Sequence, residues 1–216
     1  MNVTVDGIDV DVPDGATVLE AARMADRWVP TLCFDERMDP FGACRVCMVG
    51  VEGQDGPLAA CTTPCSDGME VHTTDAMARR VATATVELVM SELPSTPGSH
   101  TELMEIAERL EVGEPRWKGA VHEPRHDERH PYLSLHHELC ISCGRCVRAC
   151  DEIQGAFALT ATGRGFESNV AAGLNGGFTD STCVSCGACA DTCPTDAITE
   201  HSLLDLLEAP ERGVAA

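Results

Sequence analysis

Two runs of cysteine share one spacing. Cys140-Ile141-Ser142-Cys143-Gly144-Arg145-Cys146-Val147-Arg148-Ala149-Cys150 is followed by Cys183-Val184-Ser185-Cys186-Gly187-Ala188-Cys189-Ala190-Asp191-Thr192-Cys193-Pro194. The pattern C-x2-C-x2-C-x3-C, given twice, is the arrangement that holds two [4Fe–4S] clusters, and the fourth cysteine of each run serves the other cluster. On that rule Cys140, Cys143, Cys146 and Cys193 form one set, and Cys183, Cys186, Cys189 and Cys150 form the other. Gly144 and Gly187 follow the second cysteine of each run, where backbone must pass close to inorganic sulfide. Pro194 ends the second run, and Asp151 replaces proline in the first. A zinc reading would need eight thiolates in this repeated order.

Four more cysteines, Cys33, Cys44, Cys47 and Cys61, are spaced C-x10-C-x2-C-x13-C. Four thiolates, two for each iron, suit a [2Fe–2S] cluster, although the plant-type spacing is C-x4-C-x2-C. Gly42 suits a loop whose amides turn toward sulfur, and such hydrogen bonds help to set the potential. A structural zinc site is the competing reading of the same four thiolates. Cys65 is the thirteenth cysteine and has no slot in these sets. It reads as a small buried thiol near the cluster, with an extra ligand or redox-active thiol as the alternative.

The elements that must position these sites follow from patterning. Val3, Val5, Ile8, Val10 and Val12 fall on a period close to two, with Asp6-Gly7 between the halves, which predicts a hairpin. Thr17 can cap a helix over Val18–Asp26, with Glu20 at the capping-box position. Asp75–Leu93 and Glu102–Leu110 read as helices separated by the breaker Pro94-Ser95-Thr96-Pro97-Gly98-Ser99. His122, His126 and His130 recur every four residues, but Pro124 and Pro131 oppose a continuous helix. Gly113–Pro131 is therefore expected to be an extended, charged connector rather than a zinc or nickel site. His136 imitates a metal-ligand spacing to Cys140, a coincidence given the cysteines that follow.

Composition bounds the function. The chain has 216 residues, only 4% aromatic, and a net charge of −20. Phosphate backbones would be repelled, so nucleic acid is excluded as the main partner. The charge reads as a solvated acidic surface, and it should tend to lower cluster potentials. The N-terminus lacks the basic and apolar regions of a signal peptide, and no apolar run is long enough for a membrane span. Clustered cysteines in a chain expected to be cytoplasmic point to metal rather than disulfides.

Thr31-Leu32-Cys33, Gly42-Ala43-Cys44-Arg45-Val46-Cys47-Met48-Val49 and Leu58-Ala59-Ala60-Cys61-Thr62-Thr63-Pro64 together resemble the N-terminal domain of one electron-transfer family. That family includes the large iron–sulfur subunit of respiratory NADH dehydrogenase and the diaphorase small subunit of NAD-reducing hydrogenases. It also includes the N-terminal region of NAD-dependent molybdenum or tungsten formate dehydrogenases. The resemblance implies that Cys33, Cys44, Cys47 and Cys61 ligate a [2Fe–2S] cluster. Arg164-Gly165-Phe166-Glu167-Ser168, Cys146–Gly155 and Cys193–Glu200 look most like the formate dehydrogenase branch. Family members usually carry a further [4Fe–4S] cluster held by one histidine and three cysteines. Here no cysteine lies between Cys65 and Cys140, so that ligand loop reads as deleted and His100 as structural or solvent-facing.

The expected architecture is α+β: an N-terminal β-grasp [2Fe–2S] ferredoxin domain over residues 1–74 and a helical connector over 75–131. A bacterial-type two-[4Fe–4S] ferredoxin domain over 132–200 and a tail over 201–216, helical at Ser202–Glu208, complete it. The expected role is a non-catalytic electron relay with one [2Fe–2S] and two [4Fe–4S] clusters. The sequence ends at Ala216 with no molybdopterin domain and no glycine-rich nucleotide site. The resemblance therefore implies two partners: a flavin-containing NAD(H) subunit, and a catalytic molybdenum or tungsten formate dehydrogenase subunit. The alternatives are the small subunit of an NAD-reducing nickel–iron hydrogenase and a free multi-cluster ferredoxin carrier.

Overall fold

The structure is a computed structural model that describes residues 1–117, 119–174 and 176–201; the expected Ser202–Glu208 helix lies outside these. The chain forms two compact units that divide between His122 and Glu123.

The first unit starts with the expected hairpin, β1 (Asn2–Val5) and β2 (Ile8–Asp11). Asp6 and Gly7 both take positive φ, 47° and 79°, as a type I′ turn requires. Helix α1 (Val18–Met24) begins at Thr17 with a full capping box. The Glu20 amide donates to Thr17 Oγ1 at 3.3 Å and the Thr17 amide donates to Glu20 Oε2 at 2.6 Å. The Thr17 amide, then its hydroxyl, hold the Glu20 carboxyl below its ordinary pKa.

Strands β3 (Met48–Val51), β4 (Leu58–Ala59) and β5 (Met69–His72) complete a mixed sheet of order β2-β1-β5-β3-β4. Only β1 and β5 run parallel. Val3, Val5, Val49 and Val71 from the sheet are fully buried with Val18 and Leu19 of α1. Burying side chains of this size stabilises by about 1.5–3 kcal/mol each, so this sheet-and-helix core is the main support of the cysteine loop strung across it. The arrangement is the expected β-grasp.

Helices α2 (Ala76–Ser91) and α3 (Glu102–Arg109) belong to this same unit. Asp75 caps α2 by accepting from the Met77 and Ala78 amides, and Thr101 caps α3. Glu87 of α2 is buried and takes the Arg116 guanidinium on both carboxylate oxygens, which ties the segment after α3 back to α2.

The second unit has a three-stranded antiparallel sheet of order β10-β7-β6, from β6 (His126–Asp127), β7 (Leu133–His136) and β10 (Ile198–Glu200). A ribbon of β8 (Leu159–Thr162) and β9 (Asn169–Ala172) lies beside two short helices, α4 (Arg145–Arg148) and α5 (Ala188–Asp191). A wide helical turn, Ala149–Ile153, continues α4.

The extended connector expected over Gly113–Pro131 ends earlier than its charge suggests. From Glu123 onward the chain is part of the second unit, and His126–Asp127 pairs with β7. The cause is Asp127, which is buried. Its carboxylate accepts from the Phe178 amide at 2.9 Å and from Arg129 Nε at 3.1 Å. Burial opposes the charge, but these donors outweigh it and hold Asp127 below the ordinary carboxylate range. Among the described residues no helix is long and apolar enough to cross a membrane.

The α1 cap gives a direct test. Thr17→Ala should lower the stability of the first unit by about 1 kcal/mol, read from denaturant unfolding of the cluster-loaded protein. An unchanged midpoint would show that the core alone fixes this helix start.

Candidate metal centres

In the first unit, Cys33 follows α1 and its loop, Cys44 and Cys47 precede β3, and Cys61 follows β4. Cys33, Cys47 and Cys61 are buried and Cys44 is half-buried. The Cys44 amide donates to Cys33 Sγ at 3.4 Å, and the Val46 amide to Cys44 Sγ at 3.5 Å. Cys47 and Cys61 approach to 3.3 Å between sulfurs. The structure therefore brings the four expected residues together.

Two features hold the loop between Cys33 and Cys44. Asp35 is buried and receives Arg37 in a bidentate clasp at 2.9 and 2.7 Å. Gly42 takes φ 69°, and a Cβ there would meet Thr62 Cγ2 at 2.8 Å, so glycine is required on both counts. Thiols this close cannot ionise independently. Cys33 is drawn down to about 5, first by the hydrogen bond from the Cys44 side chain, while Cys44 is pushed up by the same contact and by burial. Cys61 is likewise drawn down by Cys47. Four sulfurs this close cannot all ionise beside one another unaided, and they suit a cation that takes them together as thiolates.

In the second unit, the two cysteine runs fold alike. Ser142 and Ser185 take φ 52° and 59°, and Gly144 and Gly187 each take φ 78°, just before α4 and α5. A Cβ on Gly187 would collide with the Glu200 side chain. Cys140, Cys143, Cys146 and Cys193 line one small cavity, walled by Leu135, Val170 and Ile198. Cys150, Cys183, Cys186 and Cys189 line a second, walled by Leu133, Leu159 and Phe178. The fourth cysteine of each run thus faces the cavity of the other run.

These walls are apolar, and burial pushes Cys143 and Cys189 up to about 12 and raises Cys140 and Cys146. The donor set fits iron–sulfur cubanes: sulfur-only ligands, two groups of four, in apolar cavities where a thiolate is stable only against a cation. Amides also point at sulfur. Ala158 donates to Cys150 Sγ at 3.2 Å and Ser185 to Cys183 Sγ at 3.4 Å.

Other histidines and cysteines fall differently. Cys65 is buried in the first unit's core, with its amide on the Ala16 carbonyl at 2.8 Å. Burial pushes its thiol up. His100 is exposed, and its ring occupies the space beside Gly98.

His130 is the residue that sequence reading missed. It is 5% exposed, and its Nδ1 accepts from the Tyr132 and Leu133 amides, both at 3.1 Å. A ring that accepts at Nδ1 carries its proton on Nε2. That Nε2 lies 3.2 Å from Ser185 Oγ and 3.7 Å from Cys183 Sγ. The only signal in the sequence was the following Pro131, which holds the chain extended so that the next amides turn back on the ring.

Residues 1–76 match the family described as a 2Fe-2S iron-sulfur cluster binding domain, and residues 139–197 match a 4Fe-4S dicluster domain. The NADP-reducing hydrogenase subunit HndD of Solidesulfovibrio fructosivorans is 32% identical over 97% of this chain and 38% of its own length. The NADH-ubiquinone oxidoreductase 75 kDa subunit of Reclinomonas americana is 29% identical over 92% of this chain and 29% of its own. The chain thus spans well under half the length of these curated relatives. A chain in a crystal structure titled as an NAD+-reducing [NiFe]-hydrogenase in the H2-reduced state is 29% identical. Its TM-score is 0.85, over 94% of this chain and 88% of that one. With a [2Fe–2S] domain followed by a two-[4Fe–4S] domain, the chain belongs to the iron–sulfur electron-transfer family that contains the 75 kDa subunit of NADH-ubiquinone oxidoreductase and the NADP-reducing hydrogenase subunit.

Proposed function

We propose that this chain is the electron-relay subunit of an NAD(P)-linked oxidoreductase complex. Cys33, Cys44, Cys47 and Cys61 would hold the [2Fe–2S] cluster. Cys140, Cys143, Cys146 and Cys193 would hold one [4Fe–4S] cluster, and Cys150, Cys183, Cys186 and Cys189 the other. The observation that carries this is the grouping of the eight C-terminal cysteines around two neighbouring apolar cavities. When bound, the clusters supply one-electron acceptors and donors. The chain's own residues bind the iron, exclude water and aim N–H groups at the sulfurs.

Cys186 is exposed, with exposed Val184 beside it, so the second cavity lies where a partner could approach. A flavin-containing NAD(H) subunit is proposed on one side of the relay and an oxidising catalytic subunit on the other. The likeness of Arg164–Ser168 and Cys193–Glu200 to formate dehydrogenases supports a molybdenum or tungsten formate dehydrogenase as that subunit. The second reading is a nickel–iron hydrogenase, which the likeness to the solved hydrogenase chain favours. Thirteen cysteines also fit a reducing, cytoplasmic setting.

Metal analysis of the complex that co-purifies with this chain under anaerobic conditions separates the readings. Molybdenum or tungsten with formate-dependent NAD(P) reduction supports the first, and nickel with hydrogen-dependent reduction supports the second. Iron alone on a chain without a stable partner would overturn both in favour of a free carrier.

His130 gives a test of the sulfur environment. Its Nε2–H lies between Ser185 Oγ and Cys183 Sγ, and its approach to the sulfur favours the reduced, more negative state of the adjacent cluster. His130→Phe keeps a ring but removes the donor. The reduced-to-oxidised ratio of one [4Fe–4S] cluster should fall about tenfold at fixed potential, a downward midpoint shift of about 59 mV for one electron. His130→Gln, with a side-chain amide, should restore part of it. EPR-monitored redox titration that shows no cluster moved would remove His130 from any role in setting potential.

A further inference from the structure

His126 and His136 are direct cross-strand partners on β6 and β7, and their rings meet edge to face with centroids 4.5 Å apart. Glu128, just past β6, completes a group whose ligand atoms all lie within 4.8 Å of one another. Behind the pair stands Glu138, whose side chain is only 9% exposed. Its Oε1 is 3.3 Å from His126 Nε2 and 3.7 Å from His136 Nδ1, while Oε2 accepts from the Arg125 amide at 3.2 Å.

A neutral imidazole carries one N–H. The buried carboxylate attracts those protons to His126 Nε2 and His136 Nδ1, the two nitrogens nearest to it. His126 Nδ1 and His136 Nε2 are then left with free lone pairs. A buried carboxylate that fixes the tautomer of a metal-binding histidine is a recurrent support of such sites. We propose that His126 Nδ1, His136 Nε2 and the Glu128 carboxylate bind one divalent ion of the zinc class, with Glu138 as positioning residue. Imidazole and carboxylate ligands suit zinc, and three protein ligands leave a position open to water or to a partner's side chain. The ligand atoms must draw in to about 3.4 Å from one another, the separation set by tetrahedral bonds of about 2.1 Å. Glu128 and His126 are exposed, so their side chains can make that adjustment. The net charge of −20 favours a cation at the surface. This site is separate from the cysteine sets and does not depend on the relay reading.

The test uses the cluster-loaded chain, dialysed anaerobically against one equivalent of Zn²⁺ in the presence of a weak chelator, with zinc and iron counted in the same sample. The wild type should retain about one zinc per chain. The His126→Gln/His136→Gln variant should lose at least about 100-fold in affinity, and Glu138→Gln about 10- to 100-fold, with iron unchanged. Zinc-edge X-ray absorption should show nitrogen and oxygen neighbours with imidazole scattering and no sulfur. Equal zinc in wild type and double variant, no retained zinc, or a sulfur-containing shell would overturn the proposal. If the double variant loses iron, the wild-type absorption spectrum alone decides between these outcomes.

Discussion

A cysteine thiol in an apolar cavity is comfortable as a neutral hydrophobe, and costly as an anion. Burial that lifts Cys143 and Cys189 to about 12 means that ionising either one unaided costs about 4 kcal/mol more than in water. That is a large fraction of what holds a small domain together. The second unit concentrates eight cysteines around two such cavities, with Leu133, Leu135, Phe178 and Ile198 among the walls. A cation offsets that cost for the buried thiols, so the fold of this unit and its metal are one problem. The short helices, left-handed glycines and swapped fourth cysteines all serve to bring sulfur to the cavities.

The first unit solves the same problem differently. Its sheet and α1 form a core of valines and alanines around Leu19, which also takes in Cys47 and Cys61. The cysteine loop beside that core is held by the Asp35–Arg37 clasp and by Gly42. Sequence relatives match this chain over only part of their own length.

Much of this was legible beforehand, because the signals were local. The Asp6-Gly7 turn, the Thr17 capping box and the Asp75 and Thr101 caps depend on neighbours within a few residues. Cysteine spacing is a local signal too, and the structure gathers the C-terminal cysteines into the two groups that the spacing implies. What was hidden depends on distant parts of the chain. Asp127 looked like one more charge in a polar connector. It is buried because the Phe178 amide, far along the sequence, needs an acceptor. His130 looked like part of a periodic histidine series, and it is instead turned inward to Cys183. His136 looked like a coincidental match to a metal-ligand spacing with Cys140. Its neighbour is His126, a pairing set by strand register that no spacing rule encodes.

The most direct test of the central claim is an iron count with Mössbauer typing on the anaerobically purified chain, for wild type and Cys65→Ser. Twelve cysteines in three sets should give about ten irons per chain in both, about one fifth as [2Fe–2S] and the rest as [4Fe–4S]. About fourteen irons in the wild type, a loss of iron in Cys65→Ser, or zinc in place of iron would each contradict it.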